Sequence, residues 1–235
     1  MELSRRLAAV AGMVTKGNVV CDVGCDHGYV SIYLVQEGIS PHVIAMDVRE
    51  GPLSHAKEHI RMYGLCNYIE TRLSDGVEKL EMGEADTLIL AGMGGRLMEA
   101  IITRGIAKVV KLKEIILQPQ SEIALFRKFL RKNGFVIVDE DMIYEDGKYY
   151  PLMRVVPRQS GAEKDNFEEI SDAYGEILLI KRHPVLKQYL DFQNEKLTAL
   201  LQELEELSME SEKSRNRMDE VKKELLLNQL ARERY

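Results

Sequence analysis

Apolar positions along the chain change spacing in an order that alternates helix and strand. Leu3, Leu7, Val10 and Val14 recur at helical spacing, so residues 3–14 are predicted as a helix. The run Val19-Val20-Cys21-Asp22-Val23 then predicts a buried strand that turns at Gly24. A helix follows from about Tyr29 to Gln36, and His42 to Asp47 predicts a second strand ending in an acid. Gly51-Pro52 opens a helix to about Tyr63, with proline in its first turn. Tyr68 to Arg72 predicts a third strand before Ser74-Asp75-Gly76. Ala85 to Leu90 predicts a fourth, running into Ala91-Gly92-Met93-Gly94-Gly95 and a helix from Arg96 to Thr103. Glu114 to Leu117 predicts a fifth strand, ending in Gln118-Pro119-Gln120. Ser121 then caps a basic amphipathic helix to about Lys132. Phe135 to Ile143 and Tyr149 to Val156 flank Glu145-Asp146-Gly147-Lys148, a hairpin with a D-G turn.

Five alternations of strand and helix imply an α/β fold with a parallel sheet. The closing hairpin adds one antiparallel strand. That combination is the Rossmann-like layout of a class I methyltransferase sheet, expected over residues 1–158. Residues 159–182 are more polar and join it to a second part. From His183 the pattern changes: Leu186, Leu190, Leu197, Leu200, Leu204 and Leu207 form an a/d stripe interrupted by Gln193. Ser208 to Asn216 is polar, and Met218, Val221, Leu225 and Leu230 resume an apolar face. Residues 159–235 are therefore expected as a C-terminal helical domain, a coiled-coil-like hairpin burying both stripes. A pairing of two chains is the alternative.

Composition narrows the class of protein. Of 235 residues, 45% are hydrophobic and 30% charged, the balance of a globular protein with an ordinary core. No apolar run approaches the roughly 20 residues needed to cross a bilayer. The first residues do not read as a signal peptide, so a cytoplasmic location without membrane attachment is expected. Cys21, Cys25 and Cys66 fit neither a metal spacing nor a disulfide framework. No metal is expected. The net charge of -6 excludes a uniformly basic surface but not local basic patches. Arg104, Lys108, Lys111 and Lys113 form one patch, and Arg127, Lys128, Arg131 and Lys132 another, with Arg5 and Arg6 a smaller one. Each also fits an ordinary solvated helix face.

The candidate chemistry lies at the carboxyl ends of the predicted strands, where ligands of such sheets sit. A dinucleotide site wants G-x-G-x-x-G, because a pyrophosphate rests on a helix N-terminus. Here Cys25 stands at the second glycine, and Asp22 and Asp26 flank the turn. Two carboxylates repel a pyrophosphate and hold a cation. S-adenosyl-L-methionine (SAM), with a sulfonium, an α-amino group and no phosphate, suits the loop better than NAD. Asp22 and Gly24 would meet its amino end, and Asp47 its ribose hydroxyls. Asp75 beside Gly76 would meet the adenine amine, although a plain D-G turn explains that pair too. Gly92 lets backbone lie against a flat ligand, with Met93 either on the adenine or in the core. Gln118 and Pro119 stand at the same rim, where glutamine can meet a base edge or cap the next helix.

The set Asp22-Val23-Gly24-Cys25-Asp26-His27-Gly28-Tyr29, Gly51-Pro52-Leu53, Gly83-Glu84-Ala85-Asp86, Ala91-Gly92-Met93-Gly94-Gly95, Ile116-Leu117-Gln118-Pro119 and Glu145-Asp146-Gly147-Lys148-Tyr149-Tyr150 resembles the bacterial tRNA (adenine(22)-N1)-methyltransferase family. The resemblance covers nearly the whole chain. It implies SAM-dependent methylation of N1 of an adenine in the D-arm region of tRNA. Adenine N1 carries a lone pair, so direct in-line transfer needs no strong base. Asp26 would stabilise the positive charge that develops on the base. His27 beside it would stack on the base, donate to it or take a proton later, unless it merely caps the next helix. Tyr29 would add a stacking face or fill the core. Arg5, Arg6, Arg127, Lys128 and Arg131 are the expected phosphate contacts, and a monomer is expected rather than a stable homodimer. A methyltransferase acting on a small molecule or protein is an alternative from the same fold. A non-catalytic SAM-binding regulatory module is a second alternative, of a different class.

Overall fold

The computed structural model describes residues 1–158, 169–207 and 212–235. The chain divides into two compact units, Met1–Glu163 and Lys164–Tyr235. The first unit runs α1 (Arg5–Gly12), β1 (Val20–Val23), α2 (Tyr29–Gln36), β2 (Val43–Asp47), α3 (Glu50–Met62), β3 (Ile69–Leu73), β4 (Thr87–Met93), α4 (Gly95–Arg104), α5 (Ile106–Val109), β5 (Glu114–Pro119), α6 (Ile123–Lys132), β6 (Phe135–Glu145) and β7 (Lys148–Pro157).

The seven strands form one sheet in the order β3-β2-β1-β4-β5-β7-β6. Strands β1 to β5 pair in parallel, and β7 is antiparallel to both β5 and β6. The expected antiparallel strand is therefore β7, inserted between its hairpin partner and the parallel set. Strands β1, β2 and β5 are buried along their length, as strands covered on both faces must be. Their side chains divide between two cores. Cys21, Ile44, Leu88, Ile115 and Phe126 lie in one, and Val20, Val43, Ile89, Ile116 and Leu34 in the other.

Strand order reverses between β1 and β4, which opens a crevice beyond their carboxyl ends. The opposite end is closed by polar groups. Glu114, 4% exposed, accepts from the Thr15 amide at 2.8 Å, the Thr15 hydroxyl at 2.7 Å and the Thr87 hydroxyl at 2.9 Å. Glu114 and Thr87 are buried there, and these groups satisfy one another and serve the fold.

Two sequence expectations change here. Ser121 does not cap α6: the N-cap is Glu122, in the left-handed region at φ 55, with no side-chain cap bond. Arg127 does not reach the surface. It is 2% exposed and paired with Glu140, 1% exposed, at 2.9 Å. It ties α6 to β6 and is unavailable to a phosphate. Of its neighbours, Lys128 is exposed and Arg131 half-buried.

The second unit holds α7 (Glu169–Tyr174), α8 (Glu176–Ile180), α9 (Pro184–Leu207) and α10 (Glu212–Arg232). The stretch expected as a polar joint thus contains two short helices after residue 168. Residues 159–168 and 208–211, part of the expected linker and polar break, lie outside the described residues. Residues 212–216, expected within the polar break, are helical. Helices α9 and α10 run antiparallel: the Tyr235 hydroxyl donates to the His183 carbonyl at 3.0 Å, and the Asn228 amide to the Leu190 carbonyl at 3.0 Å. Leu186, Leu190, Leu197 and Val221 are buried, in keeping with an intramolecular hairpin. Leu230 is 42% exposed, and Asn228 and Ala231 occupy the seam instead. A straight helix with 3.6 residues per turn drifts out of the phase that leucine spacing suggests.

Candidate active site

The loop after β1 is built by two backbone contacts and three left-handed residues. The amides of Gly24 and Cys25 both donate to the Met46 carbonyl, at 2.8 and 3.0 Å, folding the loop over β2. Gly24 adopts φ 74, which favours glycine, and a Cβ there would meet the Met93 methyl group. The close approach brings the first loop against the fourth. Helix α2 then starts from Gly28 at φ 74 with no side-chain cap bond. His27 does not serve as its cap, which removes that simpler explanation for the residue.

Strand β4 ends in a bulge. Ala91 pairs with Gln118 and Met93 with Pro119, leaving Gly92 out of the ladder at φ 76. The Gly92 amide donates instead to the Gln118 side-chain oxygen at 3.1 Å, and the same oxygen accepts from Arg6 Nη1 at 3.0 Å. A bulge bends its strand and re-aims the residues around it. Here it turns the glycine loop across the crevice.

The resulting cavity is about 550 Å³, within the roughly 300–1,000 Å³ of small-molecule sites. Asp22, Gly24, Asp26, His27 and Tyr29 line it from the first loop, and Asp47 from the second. Asp75 and Gly76 follow from the third, Gly92 and Met93 from the fourth, and Arg6 from α1. One wall therefore brings together residues that the sequence placed at the ends of four strands.

Gln118 and Pro119 were expected at the rim and are not there. Gln118 is fully buried and braces Gly92 and Arg6, while Pro119 is buried within β5. Gln120, at the end of the same Gln118-Pro119-Gln120 stretch, does line the cavity. Arg6 enters the cavity wall, its guanidinium also 5.2 Å from the centre of the Tyr150 ring. Arg5 is exposed, and its amide donates to Glu145 at 2.7 Å.

The three strand-end acids differ in setting. Asp22 is 5% exposed and accepts from the Ser31 hydroxyl at 2.6 Å. Burial pushes its carboxyl up from 3.8 to about 6, with Asp47 adding to the rise and the Ser31 bond opposing it. Asp47 is also 5% exposed and accepts from the Arg49 amide at 2.9 Å. Asp75 is half exposed and paired with Arg104 at 2.5 Å, which holds its carboxyl below the ordinary range.

The raised Asp22 value has a measurable sign. The folded state holds this proton more tightly than the unfolded chain, so the contribution of Asp22 to stability is greatest in acid. It declines as pH rises from about 4 to about 6. A cationic ligand needs the ionised form, so binding has the opposite trend. Affinity is level above about pH 6 and falls by up to tenfold per unit below it. Titration calorimetry between pH 5 and 8 reads this directly. Unchanged affinity across that range would remove Asp22 from the cation site.

The rim carries rings that the sequence did not bring together. His27 stacks on Tyr29 at 5.5 Å between centres, and His55 and His59 of α3 lie 5.4 and 5.8 Å from His27. Their spacing of four residues on one helix was the only sequence signal. Asp26 is 65% exposed at φ 48, its carboxylate 3.8 Å from His27 Nε2. Ser31 and Arg49 were likewise missed, and neither stands in a motif.

The sheet order, the glycine bulge and the buried strand-end acids define a Rossmann-like methyltransferase domain, and residues 3–153 match the family described as "Methyltransferase domain". A tRNA (adenine(22)-N(1))-methyltransferase of Bacillus subtilis is 36% identical over 153 residues, 65% of this chain. That match spans 64% of the Bacillus protein's own length. A crystal structure of a candidate tRNA (m1A22) methyltransferase from Streptococcus pneumoniae is 30% identical, with TM-score 0.88. It covers 98% of this chain and 100% of that one. Its complex with S-adenosyl-L-methionine superposes with TM-score 0.86 at 29% identity, over 98% and 100% of the two chains. The chain belongs to the bacterial tRNA (m1A22) methyltransferase family.

Proposed function

We infer that the protein transfers a methyl group from S-adenosyl-L-methionine to N1 of an adenine in tRNA, position 22 in the family's substrate. The observation that carries this is the pair of 5%-exposed carboxylates, Asp22 and Asp47, at the ends of adjacent strands on one cavity wall. Buried charges need partners. A ligand with an ammonium group at one end and a ribose diol further along supplies both.

The residues present fit that cofactor. Asp22 would hold the α-amino group, with Ser31 fixing the carboxylate from behind. Asp47 would accept from the ribose hydroxyls. Asp75 and Gly76 would border the adenine, Asp75 sharing its charge with Arg104. Gly24 stands where a Cβ would clash with the Met93 methyl group, Gly92 keeps its left-handed φ at the cavity wall, and Met93 lies between the two loops.

When bound, the cofactor supplies an electrophilic methyl on a sulfonium. The protein's task is alignment, which can be worth about 7–11 kcal/mol when the reacting atoms are held in line. Adenine N1 attacks with its own lone pair, so the reaction calls for neither a strong base nor a metal. The target base must leave its stack to enter the cavity. Asp26 stands at the mouth as a carboxylate to offset the charge forming on the base, and His27 and Tyr29 present rings to it. Arg5, Arg6, Lys128 and Arg131 are the proposed contacts to phosphate. The α9–α10 hairpin buries Leu186, Leu190, Leu197 and Val221 within one chain, which favours a monomer. Among the described residues no helix is long and apolar enough to cross a membrane. A cytoplasmic enzyme is part of this reading.

Incubation with methyl-labelled SAM and unmodified tRNA, followed by digestion, tests the reading. Labelled 1-methyladenosine is the expected product. SAM binding with no label in tRNA would leave a small-molecule methyltransferase or a regulatory module.

A further inference from the structure

The loop that carries Asp26 and His27 is moulded on one face of α3. Ala56 lies under Gly28, where an added Cβ would come within 3.2 Å of the Ala56 methyl. One turn away, His59 Nδ1 is 3.0 Å from the His27 carbonyl oxygen. A carbonyl only accepts, so Nδ1 carries the proton, and this bond sets the tautomer. The ring of His59 also stacks on Tyr29, with centres 5.2 Å apart and planes at 16°.

The bond holds a backbone that does not rest easily by itself. Residues on both sides of His27 adopt left-handed conformations, Asp26 at φ 48 and Gly28 at φ 74. Such a conformation at a non-glycine residue persists when its surroundings over-determine it. Here the surroundings are supplied by a helix 32 residues further along the chain. The Gly28 amide closes the turn onto the Cys25 carbonyl at 2.7 Å, and His59 takes the carbonyl between them.

We propose that His59 is a positioning residue: its Nδ1–H holds the His27 carbonyl and so fixes the turn that presents Asp26 and His27 to the base. The proposal rests on the reading above that Asp26 and His27 act at the reacting adenine. His59 itself touches neither substrate nor cofactor in this role.

Two substitutions separate the hydrogen bond from the ring. In His59→Asn the side-chain amide carries an N–H on the atom bonded to Cγ, the same place as Nδ1, and the ring is lost. In His59→Phe the ring stays and the donor is lost. The full chain is assayed with labelled SAM and tRNA, with SAM affinity and thermal midpoint measured on each variant. His59→Phe is expected to lower kcat by about 10- to 100-fold, the scale of a small misplacement. Its KM for tRNA and its affinity for SAM stay within about twofold, since uniform binding is untouched. His59→Asn is expected to recover most of the loss. Equal losses in both variants, no loss in His59→Phe, or a loss that tracks SAM affinity or midpoint would each overturn the proposal. Asp26→Ala and His27→Ala run alongside. If both keep full kcat, the catalytic reading of the loop falls and this one with it. If they lose activity while His59→Phe does not, only the role of His59 falls.

Discussion

Arg127→Ala lowers the unfolding free energy by about 3–5 kcal/mol, because it removes the guanidinium that faces the buried Glu140 carboxylate at 2.9 Å. Both side chains are at most 2% exposed, so water cannot replace the missing guanidinium. Domains are stable by only about 5–15 kcal/mol in total, so the loss is a large share. The chain has no tryptophan, so urea unfolding is best followed by far-UV circular dichroism. The signature is a lower midpoint at an unchanged slope. Replacing both partners, Arg127→Met with Glu140→Leu, is expected to restore much of the stability. Removing a whole buried pair leaves no unpaired charge. A single-variant loss below about 1 kcal/mol would mean that the pair is solvated. Arg127 would then return to the set of phosphate contacts.

Asp22→Ala has the second large effect, on the cofactor. Truncating one partner of a buried, hydrogen-bonded charge pair costs about 2–5 kcal/mol. At about 1.4 kcal/mol per decade, that raises the Kd for SAM by at least about 30-fold. Asp75→Ala is expected to do far less, because that carboxylate is half exposed and already paired with Arg104. The contrast is more informative than either number. Two acids near strand ends are distinguished by burial and by the Arg104 pairing of one of them, and calorimetry on the two variants measures the difference. Equal losses would assign cofactor binding to the ring of acids as a whole. A loss confined to Asp75→Ala would reverse the roles.

Much of the first unit was legible because its strands obey a simple rule. Strands β1, β2 and β5 are covered on both faces, so they appear as near-continuous apolar runs, and the first is followed by the Gly24 turn. Asp22, Gly24 and Asp47 stood in the order and phase that such a sheet places at its ligand crevice. The D-G hairpin announced itself in four residues, and Asp146 does adopt φ 49 there.

The errors share a cause. Arg127 sits in a run of basic residues on an amphipathic helix, one position from Phe126 and three from Leu130, both buried. That places it on the edge of the apolar arc, and whether an edge residue turns in or out depends on what faces it. The partner that turned it in, Glu140, lies on β6. Gln118 ended an apolar strand beside a proline, a position equally suited to a rim or a brace. The bulge at Gly92 decided for the brace by leaving an amide that needed an acceptor.

By itself the sequence determined the α/β order, the parallel sheet with its one reversed strand, the helical hairpin and the strand-end carboxylates. Local spacing encodes all of these, because burial repeats about every two residues in a strand and about every 3.6 in a helix. Only the tertiary structure decided which polar residues face the cavity and which are locked beneath it. It alone set Ser31 behind Asp22, Arg104 on Asp75 and His59 on the His27 carbonyl. Those contacts join residues separated by 9, 29 and 32 positions, and no periodicity spans such distances. A polar side chain's role depends on the group that packing brings opposite it, and packing is a property of the whole fold.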